Sequence, residues 1–256
     1  MREFKKLMVN DINTSPVWTM LENNFDKYYV NYSKKSKNIN IPKKIHQVWL
    51  GSEFPDKYKR IRDTWIEKNP DWEYKLWTDK DVNDFELKNI DQFNKIDNLG
   101  AKSDIFRYEI LYRYGGLYID TDFECIKSFN DLLYLDLFSG TGHVDVPEVF
   151  NGLIGCKVGH KLIRTLIDDI NVLSTNNFDE IIALTGPKYF SNKLFEYIEN
   201  NNEDKAVIFP TTFFYPLPAV YRHMIREDNT NSQNMVKQFI TKNSYCVHLW
   251  YTSWQK

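Results

Sequence analysis

The chain has only three cysteines, Cys125, Cys156 and Cys246, among 256 residues. They are far apart and odd in number, and no CxxC pair occurs. A disulfide framework and a thiolate zinc site are both excluded. The thiols read instead as reduced, buried hydrophobes of a cytoplasmic protein. No apolar run approaches the ~20 residues needed to cross a bilayer, and "MREFKKLMVNDINTS" lacks the apolar core of a signal peptide. Neither a signal peptide nor a transmembrane segment is expected, while peripheral docking on a membrane stays open. An excess of one charge is also missing: 33 Lys and Arg face 35 Asp and Glu, a net charge of −2. Without a basic field, nucleic acid is not expected as a partner. Neither GxGxxG nor GxxxxGK[ST] is present, so any nucleotide is held without a dinucleotide fingerprint or a P-loop.

What is abundant is aromatic: 16 Tyr, 17 Phe and 7 Trp. Most fit an aromatic-heavy core, and some suit stacking on a base or a sugar. A hydrophobic content of 42% and a charged content of 27% place the chain among soluble globular proteins with one sizeable core. Residues 1 to about 31 show helix-like apolar spacing (Phe4, Leu7, Met8, then Trp18, Leu21, Phe25), and the polar "NYSKKSKN" reads as a linker. The division expected is an N-terminal helical extension and linker, residues 1–38, followed by a single domain, residues 39–256.

From there the period changes. "IPKKIHQVWLG" predicts a strand from Lys44 to Leu50. Tyr58, Ile61, Trp65 and Ile66 predict a helix stopped at Asn69-Pro70, and "DWEYKLWTD" predicts a second strand. A helical region over 79–88 follows. Strand–helix–strand order implies an α/β sandwich with parallel strands, whose ligands sit beyond the strands' carboxyl ends. The segment "AKSDIFRYEILYRYGG" predicts a helix apolar around nearly its full girth, ended by Gly115-Gly116. Asp104 and Arg107 interrupt it at i, i+3 spacing. They form either an internal salt bridge or a grip on a polar ligand, since burying both charges is costly.

The next strand, Leu117 to Asp120, delivers Tyr118 and Asp120 to one side, and Asp122 follows in the loop. Two acids one residue apart need a positive partner, either a side chain or a metal ion. Asp-x-Asp spacing suits a hard divalent cation such as Mn²⁺ or Mg²⁺ bridging to a diphosphate. His248, set between Val247 and Leu249, reads on its own as a hydrogen-bonded core histidine. Phe213, Phe214 and Tyr215 either fill the core, the preferred reading, or line an acceptor groove.

Together "IPKKIHQVWLG", "NPDWEYKLWTD", "AKSDIFRYEILYRYGGLYIDTD" and "HLWYTSW" resemble the glycosyltransferases with a DXD-type sugar-binding region. That group includes Och-type and inositol-phosphoceramide mannosyltransferases and bacterial capsule enzymes, with the large glucosylating toxins more distant. The resemblance runs from about residue 41 to 125 and resumes at "FNGLIGC", "LTGPKYF" and "HLWYTSW"; residues 1–38 carry none of it. It implies a GT-A-type nucleotide-binding α/β/α sandwich with a mixed central sheet. It also implies transfer of a hexose from a UDP- or GDP-linked sugar to a glycan, glycolipid or protein acceptor, with retention, as in polysaccharide biosynthesis. Trp49 and Gln47 would then sit at the donor base, and Asp104, Arg107 and Tyr118 at the donor's ribose and sugar. Asp120, Asp122 and His248 would hold Mn²⁺ or Mg²⁺, and Trp254 would approach the leaving phosphate. Asn151 would line the site, although a turn at Asn151-Gly152 explains that stretch equally. A nucleotide-sugar hydrolase or another nucleotide-processing enzyme on the same fold is the alternative.

Overall fold

The computed structural model describes residues 3–9, 15–32, 38–143, 146–171, 177–201, 203–225 and 229–251. Its strands are β1 (Lys44–Val48), β2 (Glu73–Trp77), β3 (Gly116–Ile119), β4 (Phe123–Cys125), β5 (Leu137–Thr141), β6 (Val149–Cys156), β7 (Ala206–Phe209) and β8 (Cys246–His248). Six of them form the central sheet in the order β2-β1-β3-β6-β5-β7, and β4 pairs with β8 in a small second sheet. β1 is parallel to β2 and β3, as the strand–helix order predicts. β6 runs against both its neighbours, which makes the sheet mixed.

The Leu99–Tyr114 helix follows from its sequence at both ends. Asn98 caps it by accepting a hydrogen bond from the Ala101 N–H at 3.0 Å. Gly115 and Gly116 then turn the chain into β3 at φ +60° and +93°. A Cβ on Gly116 would stand 2.6 Å from the Lys44 carbonyl oxygen, so β3 approaches β1 only because it starts with glycine. The helix packs on β1 and β3, and the Pro187–Asn200 helix packs on β6. In the leader, the Pro16–Phe25 helix lies against β7, and Phe4, Trp18, Leu21 and Phe25 join the same buried cluster as the sheet. Part of the predicted linker, residues 33–37, lies outside the described residues.

β1 ends two residues earlier than expected, leaving Trp49 and Leu50 beyond the sheet. "FNGLIGC" is not a turn but the middle of β6. Its glycines are explained by close approach: a Cβ at Gly155 would fall 2.3 Å from the Phe138 ring, and one at Gly152 would fall 2.7 Å from Asp120 Oδ2. All three cysteines are buried and free, as expected. No helix among the described residues is long and apolar enough to cross a membrane.

His46 on β1 sits inside an aromatic cluster with Trp77 and Tyr114, 3% exposed. Its Nδ1 accepts from the Trp77 indole at 3.2 Å, and Nε2 lies 2.9 Å from the Gly115 carbonyl. That pattern fits the neutral ring with the proton on Nε2, because a second proton on Nδ1 would face the indole N–H. Burial accordingly lowers the imidazole pKa to about 4. A depressed folded-state value means stability that is whole above pH 6.5 and is lost as pH falls from 6.5 towards 4, about 3 kcal/mol by the lower end. NMR titration should show the His46 ring neutral down to about pH 4, with urea stability falling over the same window. Protonation near 6.5 would contradict the arrangement.

Candidate active site

β3 ends at Ile119, and Asp120 is the next residue, its N–H bonded to the Gly152 carbonyl on β6 at 2.8 Å. Its carboxylate therefore stands at the carboxyl edge of the parallel strands, where α/β sheets place ligands. Arg107 reaches it from the Leu99–Tyr114 helix. The guanidinium Nη2 lies 2.9 Å from Asp104 Oδ1 and 3.3 Å from Asp120 Oδ1, while Nη1 donates to the Asn151 carbonyl at 2.6 Å. It also lies 4.4 Å from the Tyr118 ring centroid, and the Tyr118 hydroxyl donates to Asp120 Oδ1 at 2.9 Å. Asp104 and Arg107 side chains are 10% and 5% exposed, whereas that of Asp120 is 34% exposed. The internal ion pair therefore forms, and it extends outward to the first acid of the DXD.

Burial pushes Asp104 up to about 6 despite Arg107 beside it. Asp120 is raised too, by burial opposed by Arg107 and reinforced by the charge of Asp122. Asp122 behaves in the opposite sense. Burial alone would raise it, but the His248 imidazole and the Tyr251 N–H together hold it below the usual carboxylate value. His248 Nε2 lies 3.0 Å from Asp122 Oδ1, and the Tyr251 N–H donates to Oδ2 at 2.8 Å. The pairing of β4 with β8 sets this up, with Phe123 opposite His248 and the Leu249 N–H bonded to the Asp122 carbonyl at 2.9 Å. Trp250 follows at φ +55°, a left-handed conformation uncommon for a bulky residue, and this turn aims the Tyr251 N–H at the carboxylate.

Each of the two acids thus has a side-chain partner: Arg107 for Asp120 and His248 for Asp122. Room for a cation exists as well. One ligand atom from each of Asp120, Asp122 and His248 lies within 4.8 Å of the others. Two carboxylate oxygens and an imidazole nitrogen suit Mn²⁺, and the oxygens suit Mg²⁺. His248 Nε2 pairs with Asp122, while its Nδ1 is buried and has no hydrogen-bond partner among the described residues.

The other expected residues differ in how far they are buried and engaged. Gln47 is fully buried; its Nε2 donates to the Asp120 carbonyl at 3.3 Å and its Oε1 accepts from the Tyr74 hydroxyl at 2.7 Å. Both ends of the amide are used, so Gln47 braces the backbone under Asp120 rather than facing a base. Tyr118, 1% exposed, holds Arg107 and Asp120 from inside in the same way. Asn151, 4% exposed, donates to Asp104 Oδ1 at 2.8 Å and the Tyr108 hydroxyl at 3.0 Å. Trp49 is half-buried against Tyr58, at 4.8 Å, and Phe54, at 5.5 Å. Trp254 lies outside the described residues. Sequence reasoning missed Thr185, whose hydroxyl donates to Asp104 Oδ2 at 3.1 Å, and Tyr251. Thr185 stood within the noted "LTGPKYF"; nothing local marked Tyr251.

The mixed α/β sheet is the architecture of GT-A-type glycosyltransferase domains. A family model described as "glycosyltransferase sugar-binding region containing DXD motif" matches residues 55–138. Inositol phosphoceramide mannosyltransferase 1 of Schizosaccharomyces pombe is 34% identical over 218 residues, covering 81% of this chain and 68% of the relative. Inositol phosphoceramide mannosyltransferase 3 of the same yeast is 28% identical over 173 residues, 65% of this chain, and the match spans only 48% of the relative's length. Among solved structures, the catalytic domain of alpha-toxin from Clostridium novyi superposes with a TM-score of 0.54 at 10% identity, covering 98% of this chain and 95% of that one, a likeness of fold. The chain belongs to the glycosyltransferases whose sugar-binding region contains the DXD motif.

Arg107→Met would keep most of the apolar stem but strand two carboxylates around a missing cation. Breaking a buried pair from one side costs about 3–5 kcal/mol, so urea denaturation at pH 7 should show a loss of at least ~3 kcal/mol. A loss under ~1 kcal/mol would mean the guanidinium is not holding these acids.

Proposed function

We propose that the protein is a metal-dependent glycosyltransferase that moves a hexose from a UDP- or GDP-linked sugar to a glycan, glycolipid or protein acceptor. The observation that carries this reading is the meeting of Asp120, Asp122 and His248 beside the Asp104–Arg107 pair. Asp120, Asp122 and His248 would hold Mn²⁺ or Mg²⁺, which when bound neutralises the negative charge developing on a departing diphosphate. Asp122, its side chain 11% exposed and its charge favoured by its neighbours, would be the direct ligand. The exposed edge of Asp120 faces the sugar. Arg107 keeps that carboxylate oriented, and Asp104, with Asn151 and Thr185 on its oxygens, keeps Arg107 in place. Trp49, half-buried just beyond β1, offers the flat surface for the donor base.

Transfer with retention is part of the proposal. Both Asp122 oxygens are engaged, by His248 and Tyr251, and Asp120 Oδ1 by Arg107 and Tyr118, an arrangement that supports internal return over a covalent sugar–carboxylate intermediate. The bond from the sugar carbon to the phosphate oxygen breaks, and a bond to the acceptor oxygen forms on the same face. The acceptor's proton passes to the leaving phosphate. A reducing, cytoplasmic setting fits the three free, buried thiols. Residues 1–38 serve as an extension of the single catalytic domain, residues 39–256.

A thermal-shift screen of UDP- and GDP-sugars with Mn²⁺ should show one donor stabilising the protein, and slow release of its sugar should follow on incubation. EDTA should abolish both effects. Attack on plain nucleotides with indifference to every sugar donor would favour a nucleotide-processing enzyme instead. Asp122→Asn keeps the shape and removes the charge; it should cut turnover about 100-fold or more while the protein stays folded. Unchanged turnover would refute a direct role in holding the cation.

A further inference from the structure

Tyr215 follows the short Thr211–Phe214 helix and is 1% exposed, yet its hydroxyl has no hydrogen-bond partner among the described residues. The ring itself is fully accommodated. Phe123 and Phe150 meet it edge-on, each at 5.3 Å between centroids, with His248 at 5.8 Å and Trp250 at 6.0 Å. Gly140 on β5 makes the space, since a Cβ there would lie 3.2 Å from Tyr215 Cε2. Phenylalanine would fill the same volume without burying an oxygen, and a buried unpaired hydroxyl costs about 1–3 kcal/mol. Packing therefore accounts for the ring and not for the oxygen.

The ring lies against the candidate active site, packed on Phe123, the residue after Asp122, and on the His248 imidazole. A phenol is neutral near pH 7 and able to donate. Phe150, His248 and Trp250, all half-buried, pack around the ring, and Trp250 holds a left-handed backbone at φ +55°.

We propose that the Tyr215 hydroxyl is a further binding group of the site, donating a hydrogen bond to an oxygen of the nucleotide-sugar donor next to Asp120. The proposal rests on the glycosyltransferase reading above. It extends the donor pocket inward from the DXD, beneath Trp250, to a residue that sequence alone assigns to the core.

Tyr215→Phe tests it, with melting temperature and calorimetric affinity measured together. The ligands are UDP, GDP, UDP-glucose and GDP-mannose, each with Mn²⁺. The expected result is a melting temperature equal to or above wild type with donor affinity reduced about 10-fold. A loss shared by a nucleoside diphosphate and its sugar identifies a phosphate oxygen as the partner. A loss confined to the nucleotide sugar identifies a sugar oxygen. A lower melting temperature overturns the proposal, because the hydroxyl then has a partner in the free protein. Unchanged affinity for a donor that wild type binds overturns it while leaving the glycosyltransferase reading intact. Wild type that binds none of the four ligands overturns both.

Discussion

The guanidinium of Arg107 is the interaction on which the carboxyl edge of the sheet depends. It reaches from a helix interior to two carboxylates and a β6 carbonyl, and it rests against the Tyr118 ring. Without it, Asp104 would be an acid in an apolar helix core and Asp120 an acid at the mouth of a buried strand. With it, one buried cation fixes the helix, β3 and β6 relative to each other. A charge network of this kind stabilises little compared with an apolar replacement. Its value lies in orientation: the exposed side of Asp120 is presented in one direction by partners that have no other arrangement available.

The second acid is held by a different device. Asp122 takes its partners from a strand more than a hundred positions away, through the short β4–β8 pairing and the turn at Trp250. The two carboxylates therefore have separate supports, one built into the main sheet and one into the small sheet. Their pKa values move in opposite directions: burial raises Asp120 in spite of Arg107, whereas His248 and the Tyr251 N–H outweigh burial and lower Asp122.

Much of the central sheet was legible because its signals are local. Alternating or continuous apolar runs marked β1, β2 and β3, and Gly115-Gly116 marked the end of the long helix. The motif itself stood out because an apolar strand ran into two acids. β6 escaped because Asn151, Gly152 and Gly155 are poor strand formers taken alone; their reason for being there is an Asp120 oxygen and a Phe138 ring that only the fold brings near. Gln47 and Tyr118 were assigned to the donor by resemblance alone. In the fold the Gln47 amide bonds the Asp120 carbonyl and the Tyr74 hydroxyl, and the Tyr118 hydroxyl bonds the Asp120 carboxylate. His248 was identifiable as a candidate by resemblance, but its distance from Asp122 is a tertiary fact.

The pairing of β4 with β8 joins Asp122 to His248 across 126 positions of sequence. Closing so long a loop costs chain entropy that only the rest of the fold can offset, so the geometry of this pair depends on the integrity of the whole domain rather than on any local segment.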